Sequence, residues 1–138
     1  MAADCIFCKI ISGQIPSLEV YENADCLAFL DIGPLADGHT LLVPKQHFSR
    51  LVDVPPAILA AIASQLPRLA AAILRATCAE GLNVLQNNGA AAGQVVEHVH
   101  FHLIPRRGGD GLGFRWNAGK YPAGRGEELS RTIAAALS

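Results

Sequence analysis

The sequence predicts an α+β fold in which an antiparallel sheet of about five strands carries packed helices. Short apolar segments follow one another with turn signals between them, which is typical of hairpins. Two longer segments, residues 53–78 and 127–137, have helical composition or spacing. Because strands and helices do not alternate strictly, we expect antiparallel strands with the helices on one side of the sheet.

The first part of the chain predicts a short helix and three strands. Residues 4–12 can form a helix that Asp4 caps and Gly13 ends. Residues 19–23 and 26–30 have the pattern of a hairpin with a tight polar turn. Residues 39–44 then predict a third strand, which enters after a turn signal and stops at a proline.

The next segment predicts a long helix and a fourth strand. Asp53 can cap a helix that continues to Cys78, before Gly81 stops it. Pro67 lies inside this helix and should kink or divide it, because proline removes a backbone donor and clashes with the preceding turn. Residues 82–86 predict a strand, and the small residues of 87–93 predict a flexible turn.

A histidine-rich stretch, residues 93–105, follows that turn. Three of the five histidines of the chain, His98, His100 and His102, alternate there with large apolar residues. A strand sends successive side chains to opposite faces, so we expect the three imidazoles to share one face, roughly 6–7 Å apart, while Val99 and Leu103 face the core.

The end of the chain predicts a tail and a closing helix. Residues 106–126 are polar and glycine-rich, with Trp116 and Tyr121 as the large anchors. Residues 127–137 carry leucine and isoleucine at helical spacing. We expect residues 1–138 to form a single domain, with a less regular tail from about residue 110.

Composition limits the class of protein. A net charge of −1 and a pI near 6.5 argue against a nucleic-acid surface or a basic membrane-binding patch, and leave free nucleotides as ligands. A hydrophobic content of 51% and a mean hydropathy of +0.29 indicate apolar surface buried against a second subunit. No secretory signal and no uninterrupted membrane span is found, which favours the cytoplasm.

In a reducing compartment, the four cysteines are expected to be thiols or metal ligands. Cys5 and Cys8 have the two-residue gap of a zinc-binding pair, which is half of a tetrahedral site. Cys26 and Cys78 are isolated on a predicted strand and helix, and we expect both in the core.

Two chemistries are open to the clustered histidines. They can bind a metal that activates water, or a neutral imidazole can attack phosphorus and form a covalent intermediate. Gly89 and Gly93 bracket three alanines just before the histidines, so backbone amides there can approach an anion closely. This loop favours a phosphate ligand.

The run from His98 to Ile104 resembles the alternating signature of the histidine-triad (HIT) nucleotide hydrolases and transferases, most closely a bacterial Hint-like member. The resemblance extends over most of the chain. It is carried by residues 5–11, 27–32, 38–45, 87–89, 93–94 and 105–106. It implies a HIT-like fold and a homodimer whose sheet extends across the interface, with a purine nucleotide (an AMP or GMP moiety) in each subunit.

The resemblance also implies a role for each histidine. His100 would attack the α-phosphorus and form a nucleotidyl-histidine, which water then hydrolyses. His102 would bond the phosphate oxygens, His98 would orient His100 through its backbone carbonyl, and His39 would be an outer polar partner. An intact third histidine favours the hydrolases, because the transferase branch has glutamine there.

The nucleotide contacts are implied by position. Asp31 would accept the ribose hydroxyls, Asn87 would lie beside the α-phosphate, and Gly93, Gln94 and Val95 would belong to the phosphate loop. Val95 replaces a hydroxyl residue of many eukaryotic members, which leaves the substrate open. The apolar slot for the base would be formed by Ile6, Phe7, Ile10, Ile15, Ile32 and Leu41.

Some bacterial members of the family bind structural zinc through residues that correspond to Cys5, Cys8, His47 and His98. Such a closed site would tie the N-terminal segment to the sheet, and no metal would be required for the chemical step.

The first hypothesis is therefore a zinc-stabilised hydrolase of nucleoside phosphoramidates or dinucleoside polyphosphates. The alternative is a purine-nucleotide-binding interaction protein with vestigial catalysis. A third hypothesis, a metal-dependent hydrolase with the triad as ligands, is disfavoured because Glu97 and Asp110 do not repeat a known ligand pattern.

Overall fold

A computed structural model describes residues 2–113 and 117–137 of the chain. Within them the strands are β1 Glu19–Glu22, β2 Cys26–Leu30, β3 Thr40–Pro44, β4 Gly81–Gln86 and β5 Phe101–Arg106. All neighbouring pairs are antiparallel, and the sheet order is β1-β2-β3-β5-β4. The predicted α+β class and antiparallel sheet are confirmed.

The helices are α1 Ile6–Ile11, α2 Pro56–Ala63, α3 Leu66–Thr77 and α4 Arg125–Ala136. Pro67 divides the long helical segment, as predicted, and lies in the first turn of α3. Proline is tolerated there because the N–H groups of a first turn have no partner within the helix. Short 3₁₀ turns occur at Leu51–Asp53 and Ala90–Ala92.

The helices do not all lie on one side of the sheet, so that expectation is wrong. One apolar cluster joins Ile62 of α2 and Ile73 of α3 to the sheet. A second cluster joins Phe7 of α1 to side chains that point the other way from the same strands, such as Phe29 and Val43. Successive strand residues face opposite sides, so β2, which is buried except at Leu30, and β3, which is buried throughout, can carry one cluster on each face.

The segment Pro56–Thr77 is long and apolar enough, by length and composition, to cross a membrane. It is nevertheless interrupted at Ser64 and Gln65, between α2 and α3, and Ile62, Leu69 and Ile73 are buried in the cluster against the sheet. Most of the segment is not buried, and we interpret it as a pair of helices that each pack one side against the sheet.

Both predicted N-caps are wrong. Cys5, not Asp4, caps α1, and its Sγ accepts a hydrogen bond from the backbone N–H of Cys8 over 3.4 Å. Asp53 closes the 3₁₀ turn instead, where its carboxylate accepts the N–H of Arg50 over 3.1 Å. The next helix begins after Pro55, which has no side chain able to cap it.

The C-terminal end of α3 also differs from the prediction. Cys78 itself adopts the left-handed conformation that ends the helix, with φ of 54°, and Gly81 already belongs to β4. Cys78 is exposed and not in the core, whereas Cys26 is fully buried as predicted. The guanidinium of Arg107 donates to the backbone carbonyls of Thr77 and Cys78 and so satisfies the helix end.

The tail differs from expectation at Tyr121, which is 71% exposed and is therefore no anchor. The other predicted anchor, Trp116, lies outside the described residues. The closing helix α4 is present from Arg125 to Ala136, and none of its residues is buried.

Candidate active site and metal group

A cavity of about 360 Å³ opens between α1, the sheet and the loop before β5. All six residues predicted for the base slot line it, and so do Asp31, Gly93, Val95, His100 and His102. Asn87, Gln94, His39 and His98 do not line it. The remaining lining residues are Pro16, Ser17, Phe29, Leu30 and Val96.

The three clustered histidines do not lie on one strand, which corrects the prediction. The last pair of the β4–β5 ladder is Gln86 with Phe101, so the strand begins after His100. Upstream of this point the chain bonds a loop instead, and the N–H of Val99 donates to the carbonyl of Phe48 over 2.7 Å. His100 and His102 therefore reach the cavity, whereas His98 points elsewhere.

His100 is held by a single hydrogen bond to the backbone. Its Nδ1 lies 2.7 Å from the carbonyl oxygen of His98. A carbonyl oxygen only accepts, so the proton of the neutral ring is on Nδ1 and the lone pair is on Nε2. Phe7 packs edge-on against the ring, with 5.1 Å between centroids. His100 thus lines the cavity with its ring proton fixed on Nδ1.

His98 is fixed in the opposite way. Its Nε2 lies 2.8 Å from the carbonyl oxygen of Pro44, so Nε2 carries the proton and Nδ1 carries the lone pair. That Nδ1 lies 3.4 Å from Cys5 Sγ, 3.6 Å from Cys8 Sγ and 3.1 Å from His47 Nδ1. His98 therefore contacts the cysteines through its ring and the ring of His100 through its backbone carbonyl.

His102 is paired with His39, which is buried. His39 Nε2 lies 2.9 Å from His102 Nδ1, and His39 Nδ1 accepts the backbone N–H of Leu35 over 3.1 Å. A carboxylate oxygen of Asp31 lies 3.7 Å from His39 Nε2. The rings of His100 and His102 are neighbours, with centroids 4.9 Å apart.

Burial keeps these rings neutral. The pKa of His98 and of His102 is lowered to about 4, chiefly by desolvation and also by neighbouring imidazoles, against the opposing effect of the Pro44 carbonyl on His98 and of Asp31 on His102. Desolvation also lowers the pKa of His100 and of His39. Near pH 7 the site therefore offers uncharged imidazoles, and that of His100 has a free lone pair in the cavity.

The loop before the histidines is fixed by the Gln94 side chain, which is buried. Its oxygen accepts the N–H of Gly89, and its amide nitrogen donates to the carbonyls of Ser49 and Val96, over 2.7 to 3.1 Å. Gly89 and Gly93 have positive φ angles of 87° and 90°, which glycine adopts without strain. Gln94 thus shapes the loop and does not itself face the cavity.

The four residues predicted as zinc ligands lie together. The donor atoms of Cys5, Cys8, His47 and His98 are all within 4.8 Å of one another. Edges of a zinc tetrahedron with sulfur and nitrogen ligands are about 3.3–3.8 Å long, close to the 3.1–3.6 Å seen between the nearest donors. The free lone pair on His98 Nδ1 also fits a metal, and the group matches a closed Cys₂His₂ site.

Several groups at the site had no signal in the sequence. The carbonyl of Pro44, the N–H of Leu35 and the carbonyl of Ser49 are backbone atoms, which any residue type supplies. Phe29 and Leu30 could have been found, because they directly precede Asp31 on a predicted strand.

Comparison with protein families finds one model that describes most of the chain. The HIT domain model matches residues 12–109.

Curated relatives of the chain include named enzymes. The chain is 50% identical over 109 residues to the adenylylsulfatase HINT3 of Arabidopsis thaliana; the match covers 79% of this chain and 55% of that protein. It is 46% identical over 121 residues to the adenosine 5'-monophosphoramidase HNT1 of Candida albicans, over 84% of this chain and 80% of that one.

Solved structures share the fold. A HIT family protein of Bacillus anthracis superposes with a TM-score of 0.93 at 42% identity, with full coverage of both chains. A zinc-bound histidine triad family protein of Mycobacterium smegmatis gives a TM-score of 0.75 at 41% identity, over 97% of this chain and 93% of that one.

Proposed function

This chain belongs to the histidine-triad (HIT) family, and on that premise we propose that it is a nucleotide hydrolase that acts at the α-phosphate of purine nucleotides. The substrates would be nucleoside phosphoramidates or dinucleoside polyphosphates. The observation that carries this proposal is the fixed tautomer of His100, whose Nδ1–H is bonded to the His98 carbonyl. The lone pair on Nε2 of a neutral ring is what a nucleophile needs.

The reaction would take two displacements. His100 Nε2 attacks the α-phosphorus, and the leaving group departs with the bonding electron pair and takes up a proton. Water then attacks the nucleotidyl-histidine, loses a proton to solvent, and releases the nucleoside monophosphate as the phosphorus–nitrogen bond breaks. His102 would hydrogen-bond the phosphate oxygens throughout.

The cavity suits a nucleotide whose α-phosphorus lies beside His100. Its apolar wall, with Ile6, Phe7 and Ile10 from α1, would take the purine base. Asp31 lines the same cavity, and its carboxylate can accept two hydroxyl hydrogen bonds from the ribose. The loop that ends at Gly93 would offer N–H groups to the phosphate, with Asn87 and Gln94 supporting it.

The named relatives support this class of substrate. One is an adenylylsulfatase and another is an adenosine 5'-monophosphoramidase. Both names describe an adenosine nucleotide and differ in the group attached to it. We therefore propose an adenosine nucleotide as the preferred ligand, with the leaving group set by the outer part of the cavity, where Val95 is 90% exposed.

A structural zinc ion would be held by Cys5, Cys8, His47 and His98. When bound, it would supply a rigid cross-link with four protein ligands and no open position for water. The position of the His100 ring would then be set by the protein itself, because the His98 carbonyl accepts a hydrogen bond from His100 Nδ1.

We further propose a single-domain cytoplasmic protein that forms a homodimer by joining sheets. Of the two edge strands, β1 carries Glu19 and Glu22, whereas β4 carries no charged residue and leaves Val84 45% exposed. Like charges facing one another across a two-fold axis are unfavourable, so β4 is the better edge for a second copy.

Turnover assays test the proposal. The full chain is incubated with adenosine 5'-phosphoramidate, diadenosine tetraphosphate and adenylyl sulfate, beside His100→Ala and His100→Gly. Wild-type turnover of at least one substrate, with a loss of at least 1,000-fold in both variants, is expected for a nucleophile. Unchanged turnover in either variant would exclude covalent catalysis. AMP binding with no turnover of any substrate by the wild type would favour the interaction-protein alternative.

A further inference from the structure

We propose that His39 is a positioning residue that fixes the proton of His102 on Nε2, and that the backbone N–H of Leu35 fixes His39 in turn. The proposal rests on the proposed function, because the proton it places is the one that His102 would donate to the phosphate. It assigns a role to a buried histidine that does not line the cavity.

The first step is set by the backbone. A peptide N–H can only donate, and that of Leu35 lies 3.1 Å from His39 Nδ1. Nδ1 of His39 must therefore carry a lone pair, and the proton of the neutral ring must be on Nε2.

The loop around Leu35 is closed by its own hydrogen bonds. The N–H of His39 donates to the carbonyl of Ala36 over 3.0 Å, and the N–H of Asp31 donates to the carbonyl of His39 over 2.9 Å. Asp31 Oδ1 accepts the N–H of Gly33 over 2.8 Å. The Leu35 N–H that donates to His39 is thus part of a folded turn.

The second step follows from the first. His39 Nε2 lies 2.9 Å from His102 Nδ1, and Nε2 carries the proton, so Nδ1 of His102 must accept. The Asp31 carboxylate, at 3.7 Å from the same Nε2, is too far to replace His102 as the acceptor. A neutral His102 that accepts on Nδ1 holds its proton on Nε2.

The third step concerns the reaction. His102 lines the cavity beside His100, and its Nδ1 is engaged with His39, so Nε2 is its free nitrogen. The two neighbouring rings are then in opposite states: His100 Nε2 offers a lone pair to phosphorus, and His102 Nε2–H offers a hydrogen bond to a phosphate oxygen. Neither ring has to be charged.

Nitrogen-15 NMR of the zinc-loaded full chain at pH 7.5 reads the tautomers directly and requires no variant. We expect the ring protons of His39 and His102 on Nε2 and that of His100 on Nδ1, with the His102 Nε2 signal shifting on addition of AMP. A His102 proton on Nδ1 would overturn the proposal. Loss of the His39 proton on zinc loading would overturn it too, because Asp31, His39 and His102 are close enough to hold a metal.

A matched pair of variants tests the role of His39. In His39→Gln the amide oxygen can accept from Leu35 and the amide nitrogen can donate to His102, so the His102 tautomer should persist and kcat/KM should fall less than about five-fold. His39→Leu removes the donor; the His102 proton should exchange between both nitrogens, and kcat should fall roughly 10- to 100-fold, the value of a hydrogen bond to a charged group. AMP affinity should change less than kcat.

Thermal melts establish that both variants are folded. A folded His39→Leu variant with a fixed Nε2 proton and full kcat would contradict the proposal. The expected tautomers together with absence of turnover in the wild type would instead contradict the proposed hydrolase, so the two failures are distinguishable.

Discussion

The three histidines of the 98–102 segment differ because each ring meets a different partner. His98 donates to the Pro44 carbonyl, His100 donates to the His98 carbonyl, and His102 accepts from His39. The distances predict a free lone pair on His98 Nδ1 that is directed at the cysteines. They also predict a free lone pair on His100 Nε2 and an N–H on His102 Nε2, both in the cavity. A strand pattern alone makes the three rings equivalent, so their different hydrogen-bond partners follow only from the folded backbone.

Protonation of His102 should destabilise the fold. Its pKa is about 4 when folded, mainly through desolvation, and about 6.5 when unfolded, so the unfolded state binds protons first. Its contribution is complete above about pH 6.5 and is lost as the pH falls towards 4. Urea unfolding of the wild type and His102→Gln at pH 7.5, 6 and 5 should show the wild type losing more stability. An equal loss in both proteins would contradict this account.

Replacing Cys78 with glycine should stabilise the folded protein. Its φ of 54° is left-handed and its side chain is exposed, and such a backbone costs a non-glycine residue roughly 1–2 kcal/mol. Cys78→Gly should raise the free energy of unfolding by about 1 kcal/mol in urea titrations. Cys78→Ala is the control and should change little; equal stability of the glycine and alanine variants would show that no strain is relieved.

Among the elements, α1 and its cap contribute adjacent residues to the proposed zinc site and to the cavity. Cys5 and Cys8 face the proposed zinc site, while Ile6 and Phe7 line the cavity. A helix of six residues is not stable alone, and so it depends on what holds it to the sheet. Zinc ligation would therefore hold one wall of the nucleotide site.

Metal removal should weaken both stability and binding. Chelation, or Cys8→Ser, should lower the melting temperature by several degrees and weaken AMP binding, because α1 loses its cross-link. Thermal melts measure the melting temperature, and calorimetry measures AMP binding. The factor by which AMP raises zinc affinity should equal the factor by which zinc raises AMP affinity. Cys78→Ser is the matched control at an exposed cysteine. Unchanged melting after verified zinc removal would contradict a structural site.

Element order was predictable from hydrophobic pattern and turn residues, and so was the division at Pro67. The ends of elements were less predictable. Cys5 caps α1 with sulfur, and β5 begins only at Phe101 because β4 supplies no partner beyond Gln86. Such boundaries depend on which tertiary hydrogen bonds form, and local propensity does not contain that information.

For the whole molecule, the six residues that the family resemblance implied for the base slot all line the cavity, but its other apolar lining residues were not predicted: Pro16, Phe29, Leu30 and Val96. The placement of α1 on the opposite face of the sheet from α2 and α3 was not predicted. Both faces of β2 and β3 are buried, and a continuous apolar run does not tell which helix covers which face.

The proposed dimer makes a prediction at the same scale. Val84→Lys places a charge on the uncharged edge strand β4 and should shift the protein from dimer to monomer in analytical ultracentrifugation. Val52→Lys is the control, because Val52 is 90% exposed and lies outside the sheet. A wild type that sediments as a monomer, or a Val84→Lys variant that remains dimeric, would contradict joining through β4.

The account depends most on covalent catalysis by His100, and trapping the intermediate tests this directly. The full chain is mixed with adenosine 5'-phosphoramidate or diadenosine tetraphosphate, quenched within milliseconds at alkaline pH, and analysed by mass spectrometry. We expect an adenylyl group on the peptide that contains His100, labile in acid, formed and lost at rates compatible with kcat, and absent from His100→Ala. Rapid turnover without any adenylylated peptide, or with the adenylyl group on another residue, would contradict the mechanism.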